Sequence, residues 1–325
     1  MKLPRRRFLH LALGTAALTA LARIARAQAY PSRPVRIIVA YPPGGTADIM
    51  ARLIGQRLSE HLGQPFIVEN RPGAATNIAT ESVVRSAPDG YTLLVVDAAP
   101  AINASLYKNL SFVFLRDIAP IACVIGTPFV MVVNPAVPAK TVPEFINYAK
   151  ANARRLNMAS VGNGSVPHLA GELFKIMAGI DMTHVPYRGA APALTDLMSG
   201  QVQVLFITLT STIEHIKAGQ VRPLAVATTT RWEALPEIPT VDEFLPGYDV
   251  TAWNGIAAPK NTPAEVINKL NREINTALAE PNLKARFAEL GSNTAGGSPA
   301  DYRRLLVEES EKWAKVVNIA GIKLE

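Results

Sequence analysis

Six times along this chain an apolar run breaks into a loop of small residues and a helical pattern follows. The loops span residues 42–48, 70–77, 97–100, 161–165, 188–191 and 208–212. Strand, loop, helix, strand in that order demands crossover connections, and crossovers build a parallel, doubly wound αβ sheet. All six loops then fall at the carboxyl edge of their strands, the edge at which open αβ sheets bind ligands. The first shows the chemistry. Tyr41-Pro42-Pro43-Gly44-Gly45-Thr46-Ala47-Asp48 separates the run Val35-Arg36-Ile37-Ile38-Val39-Ala40 from a pattern with Ile49, Leu53, Ile54 and Leu58 on one side. Two prolines stop the strand, and two glycines let backbone N–H groups come close to a ligand. Thr46 reads as the N-cap of the helix, whose unpaired first-turn N–H groups carry about half a positive charge. Such a loop suits a carboxylate or a phosphate.

The alternation comes in two sets. The first runs from Val35 to Val96, with Gly63 placed to end its first helix. Residues 118–133 are then apolar over a long reach, interrupted by Gly126-Thr127-Pro128, as a strand leaving one lobe and entering another would be. A second set occupies residues 157–228. Residues 232–248 hold Pro236, Pro239, Pro246 and Gly247, too many breakers for one element. Residues 250–257 read as a second crossing strand. Thr262-Pro263-Ala264-Glu265 reads as a capping box with proline at N1, and residues 299–317 as a closing amphipathic helix. The expected fold is α/β, with two hinged αβ lobes joined by crossing strands. Residues 28–126 and 250–325 would form the first lobe and residues 127–249 the second.

Residues 1–27 are read as an export signal rather than fold. Arg5-Arg6-Arg7-Phe8-Leu9 precedes a short apolar run, and Ala25-Arg26-Ala27 gives a small-residue cleavage site before Gln28. The arginine run is similar to a twin-arginine signal. Six of the 33 basic residues and none of the 26 acidic ones lie there, so the remaining chain carries a net charge of only +1. Nothing in that balance asks for nucleic acid or an anionic membrane. The single Cys123 forms no internal disulfide, and His61, His168, His184 and His215 lack metal-site spacing. No cofactor is expected, and the chain is expected to be a monomer.

Each notable residue has a structural reading beside the functional one. Ser165 is an N-cap or a ligand donor; His168, at N3 of the same helix, faces the cleft or packs locally. Asp48 braces its loop or meets a ligand, Tyr187 ends a strand as a candidate cleft wall, and Arg188 is a bidentate carboxylate partner or an exposed loop side chain. Gly162-Asn163-Gly164-Ser165-Val166 is not the Gly-x-Ser-x-Gly elbow, and no catalytic constellation stands out. An exported hydrolase using Ser165 and His168 stays as the alternative.

Ordered segments across nearly the whole chain carry a resemblance. Residues 41–48, 69–77, 88–92, 101–107, 134–151, 164–174, 184–200, 236–240 and 253–263, with Pro246-Gly247-Tyr248, resemble the Bug family of extracytoplasmic solute-binding receptors. That resemblance implies a two-lobed periplasmic-binding-protein, or Venus-flytrap, fold that is not an enzyme. It implies a small carboxylate ligand, gripped partly through water, and the membrane subunits of a tripartite tricarboxylate transporter as partners. Carried onto this chain, ligand contacts would come from Gly45, Thr46, Asp48, Asn77, Gly162, Ser165 and His168, to which the cleft loops add Tyr187, Arg188 and Thr208. Many members have Asp after the residue matching Phe206, where this chain has Ile207-Thr208. The missing acid leans towards a carboxylate without an amine.

Overall fold

The computed structural model describes residues 30–322, so the export segment and its cleavage point near Ala27 lie outside the described residues. The chain opens with β1 (Val35–Val39), α1 (Thr46–Leu62), β2 (Phe66–Asn70), α2 (Asn77–Val84), β3 (Thr92–Val96), α3 (Ala99–Leu106) and the single turn α4 (Phe114–Asp117). β4 (Ile118–Val133) and α5 (Val142–Ala151) lead into β5 (Asn157–Ser160), α6 (Val166–Ala178), β6 (Thr183–Pro186), α7 (Ala190–Ser199), β7 (Val204–Thr208), α8 (Leu209–Lys217) and β8 (Arg222–Val226). β9 (Thr251–Pro259), α9 (Ala264–Ala279), α10 (Pro281–Glu289), β10 (Asn293–Gly296) and α11 (Pro299–Ala320) close the chain.

β4 is the strand on which both lobes are built. It is one unbroken element of 16 residues, and all but Ala119 and Gly126 are buried. A strand covered on both faces reads as a continuous apolar run, not as an alternation. Its first half pairs antiparallel with β9 and β10, and its second half with β7 and β8. The change of partner falls at Gly126-Thr127-Pro128: β9 pairing ends at Pro128, and β7 pairing begins at Phe129. Pro128 has no N–H to give a ladder, which suits a position where one ladder ends. Outside β4 the expected parallel pairing holds within each lobe, β2-β1-β3 in one and β7-β5-β6 in the other. Eight of the ten described strands form a single path, β2-β1-β3-β9-β4-β7-β5-β6, with β8 and β10 paired to β4 beside it. The sheet is therefore mixed, since β9 and β4 run against their neighbours.

Several local expectations change. β9 starts at Thr251 and stays between β3 and the first half of β4; it reaches the second lobe through Val250 N–H, which donates to the Ala227 carbonyl at 2.7 Å. Thr46 is not a cap: Gly45 is the N-cap of α1, and no side chain caps it. Thr262 likewise caps nothing, because its hydroxyl donates to the Pro259 carbonyl and α9 starts from Pro263. The capping box of this region belongs to Ser298 and Asp301, ahead of α11. Gly63 does end α1, in a left-handed conformation.

α11 packs on α3 and β4 and also touches α6, so it lies across both lobes. Its Tyr302 comes so close to β9 that a Cβ on Gly255 would sit 2.4 Å from the Tyr302 hydroxyl and 2.6 Å from the Ala122 carbonyl. Only glycine fits there.

Candidate ligand-binding site

A cavity of about 600 Å³ opens between the two lobes. Its walls include Tyr41 and residues 97–99 from the first lobe, residues 161–167 from the second, and residues 252–254 of β9 beneath them. The N-cap residues of five helices line it: Thr76 of α2, Ala98 of α3, Ser165 of α6, Gly189 of α7 and Thr208 of α8. Each helix end presents partial positive charge and unpaired N–H groups. Among the described lining residues there is no lysine, arginine or histidine. The attraction for an anion therefore comes from backbone, with apolar side chains such as Ile102, Phe129 and Ile207 filling the space between.

On the second lobe, the loop from Val161 to Ser165 is bent by Gly162 (φ 140°) and Gly164 (φ 72°), angles that side-chain-bearing residues rarely adopt. Ser165 Oγ donates to the Gly162 carbonyl at 2.6 Å and accepts from His168 N–H at 3.4 Å. Behind the loop, His168 Nδ1 accepts from Gly164 N–H at 3.1 Å, so this nitrogen carries no proton. The His168 ring stacks on His184, with centroids 3.6 Å apart, and His184 Nε2 meets Ser160 Oγ at 2.7 Å. Ser160 Oγ in turn donates to the Gly162 carbonyl. Burial, then the other cations nearby, lowers both imidazoles, His168 to about 3 and His184 to about 4. The pair is a neutral buttress for the loop.

On the first lobe, Ala74, Ala75 and Thr76 all take positive φ (46°, 48° and 77°), a strained run for residues with a Cβ. Asn103 holds it in place: its Nδ2 donates to the Ala75 carbonyl at 2.5 Å and to Asn77 Oδ1 at 2.9 Å. Thr76 and Trp253 both line the cavity, and their Oγ1 and Nε1 atoms are buried with no hydrogen-bond partner among the described residues. Also on this wall, the Tyr41 hydroxyl donates to Asp97 Oδ2, and Asp97 Oδ1 accepts from Ala99 N–H at 2.9 Å. Burial raises the Asp97 carboxyl, and its two donors offset part of that rise.

Of the residues singled out from sequence, Gly162, Ser165 and Thr208 line this cavity. Gly45 and Thr46 are exposed and lie outside its lining. Asp48 is buried and fully engaged: it accepts from Arg52 Nε (3.0 Å) and Nη2 (2.9 Å), from Gly44 N–H (2.9 Å) and from Asn70 Nδ2 (2.9 Å). Asn77 and His168 stand behind the wall, paired as above. Tyr187 donates to Asp196 at 2.6 Å, and Arg188 is exposed. Thr76 and Asp97 lay within two of the ligand-edge loops but were not singled out, and neither was Trp253. Spacing gave no sign of a left-handed Ala-Ala-Thr run, and Tyr41 meets Asp97 only because β1 and β3 lie side by side.

Known proteins share this arrangement. Residues 50–322 match TctC, the tripartite tricarboxylate transporter family receptor. The chain belongs to that family. Protein BugT of Bordetella pertussis is 36% identical to this receptor over 302 residues, 92% of this chain and 93% of BugT. Rpa4515 of R. palustris, solved with adipate, superposes with a TM-score of 0.79 at 36% identity, covering 90% of this chain and 99% of its own. MatC of Rhodopseudomonas palustris, solved with bound malate, gives 0.75 at 32% identity, covering 89% and 100%. The receptor is a two-lobed solute-binding protein of a tripartite transporter, not an enzyme. The hydrolase alternative has no support. Ser165 Oγ donates to a backbone carbonyl, and His168 reaches it through the main-chain N–H alone, so no side-chain base activates the hydroxyl. No helix among the described residues is long and apolar enough to cross a membrane.

Proposed function

We propose that this receptor captures a small carboxylate in the inter-lobe cavity and delivers it to the membrane subunits of its transporter. It works as a monomer in the periplasm, after export and cleavage near Ala27. Residues 28–126 with 250–325 move as one lobe and residues 127–249 as the other. The observation that carries this reading is the convergence of five helix N-caps on a cavity with no basic side chain among its described lining residues. A carboxylate is the right partner for such a site, since it needs several directed donors and no full countercharge. Neighbours of the same fold hold adipate and malate, both carboxylates.

Calorimetry against mono-, di- and tricarboxylates tests the reading directly. At least one is expected to bind with a dissociation constant in the micromolar range or tighter, without turnover. No heat from any carboxylate, together with binding of a neutral or cationic solute, would overturn it.

Two hydroxyls sharpen the test. On binding the Ser165 hydroxyl turns from the Gly162 carbonyl to the ligand, so Ser165→Ala is expected to weaken carboxylate binding roughly ten- to hundredfold, the loss of a hydrogen bond to a charged ligand. Thr46→Ala, at an exposed position outside the lining, is expected to leave affinity within about twofold. Ser165→Ala that lowers the melting temperature with affinity intact would reduce this serine to a cap, whose loss costs about 1 kcal/mol.

A further inference from the structure

The cavity is lopsided in charge. From the second lobe, α6, α7 and α8 point their N-termini into it with no acidic side chain in the lining beside them. On the first lobe, the N-terminus of α3 is already met by Asp97, through the Ala99 N–H. Asp97 is the sole Asp or Glu among the described lining residues, and no basic side chain of the lining stands opposite it. The rest of the lining includes the apolar side chains Ile102, Leu106, Phe129 and Ile207, with Asn103, Tyr107 and Asn254 among them.

We propose that Asp97 is a specificity-determining residue, restricting the receptor to apolar-bodied ligands that carry one carboxylate and an uncharged far end. The proposal rests on the carboxylate reading above and narrows it. The ligand carboxylate goes to the helix N-termini of the second lobe, and the body lies along the apolar wall. A second carboxylate at the far end would meet Asp97 in a partly desolvated space with no cation between them, a like-charge pairing that is strongly disfavoured. A hydroxyl at that end would instead donate to Asp97, whose oxygens keep acceptor capacity beyond the bonds from Tyr41 and Ala99. Selection of this kind works by repelling the wrong ligand as much as by holding the right one.

Hexanoate, 6-hydroxyhexanoate and adipate share six carbons and differ only at the far end, so calorimetry with these three at pH 7.5 isolates the effect. Wild type is expected to bind the first two at least tenfold more tightly than adipate. Asp97→Asn keeps an acceptor for Ala99 N–H while removing the charge, and is expected to narrow that ratio at least tenfold by gaining affinity for adipate. Adipate binding as tightly as hexanoate in wild type, or a ratio unmoved in Asp97→Asn, overturns the proposal. Should Asp97→Asn fail to fold, Tyr41→Phe decides. It strips the carboxylate of a donor and leaves the charge, so the preference should hold or widen; narrowing overturns the proposal. The two levels of argument fail differently. If no carboxylate of the wider panel binds wild type, the receptor reading falls and takes this one with it. If carboxylates bind and the far end makes no difference, only the role of Asp97 is lost.

Discussion

Asp48→Ala is expected to destabilise the receptor by about 3 kcal/mol and to lower its melting temperature by several degrees, with a smaller effect on ligand affinity. The carboxylate is buried among donors from three residues, Arg52, Gly44 and Asn70. Burial alone would raise its pKa, but the bonds from Arg52, Gly44 and Asn70 and the Arg52 charge outweigh burial and hold it below the usual carboxylate range. Alanine takes the acceptor from Gly44 N–H and one of two acceptors from the Asn70 amide, which still donates to the Tyr41 carbonyl, at about 1–3 kcal/mol together. Arg52 is half exposed and recovers water, which keeps the total towards the low end of what breaking a buried pair costs. Asp48→Asn retains an acceptor and loses the charge, so an intermediate loss is expected. The measurement is a thermal melt beside a ligand titration. A variant that melts within 2 °C of wild type while its affinity falls more than tenfold would make Asp48 a ligand group rather than the brace of its loop.

That contrast shows what the sequence could and could not convey. The six strand–loop–helix junctions were legible because each is local: an apolar run, breakers, a 3.6-residue pattern. So was β4, whose apolar reach is too long to be read otherwise. What remained hidden depends on register. Asp97 and Tyr41 are separated by 56 positions and meet because β1 and β3 pair in parallel and end together. His168 and His184 stack because β5 and β6 are neighbours and α6 packs back on β5. No periodicity carries such information. The small strand β10, Asn293-Thr294-Ala295-Gly296, has no apolar alternation at all and exists because β4 offers an edge. The first glycine loop was the most eye-catching stretch, yet its glycines are exposed; Tyr41 and the braced Asp48 at its two ends are what it fixes in place.

Acid is expected to destabilise this receptor as pH falls below about 6.5, and the stacked histidines are the reason. Their folded values, about 3 for His168 and about 4 for His184, lie below the 6.5 of an unperturbed imidazole. Between those limits the unfolded chain binds protons that the folded one refuses. Stability is thus complete above about pH 6.5 and falls as pH drops towards 4, by up to about 1.4 kcal/mol per pH unit for each ring. Desolvation is the main cause for both rings, with Lys175 adding to it and His184 adding further for His168. Glu172, 3.8 Å from His168 Nε2, favours the cation and works against the effect. A loss of roughly 2–4 kcal/mol from pH 7 to pH 5 is the expected size once that opposition is counted. Thermal melts at half-unit steps from pH 7.5 to 5 would show it. His168→Asn places an amide oxygen near the position of Nδ1, so Gly164 N–H keeps an acceptor that cannot be protonated in this range. The variant should melt with a visibly shallower pH dependence than wild type. A melting temperature flat from pH 7.5 to 5, or the same slope in both proteins, would remove the histidine pair from any role in holding that loop.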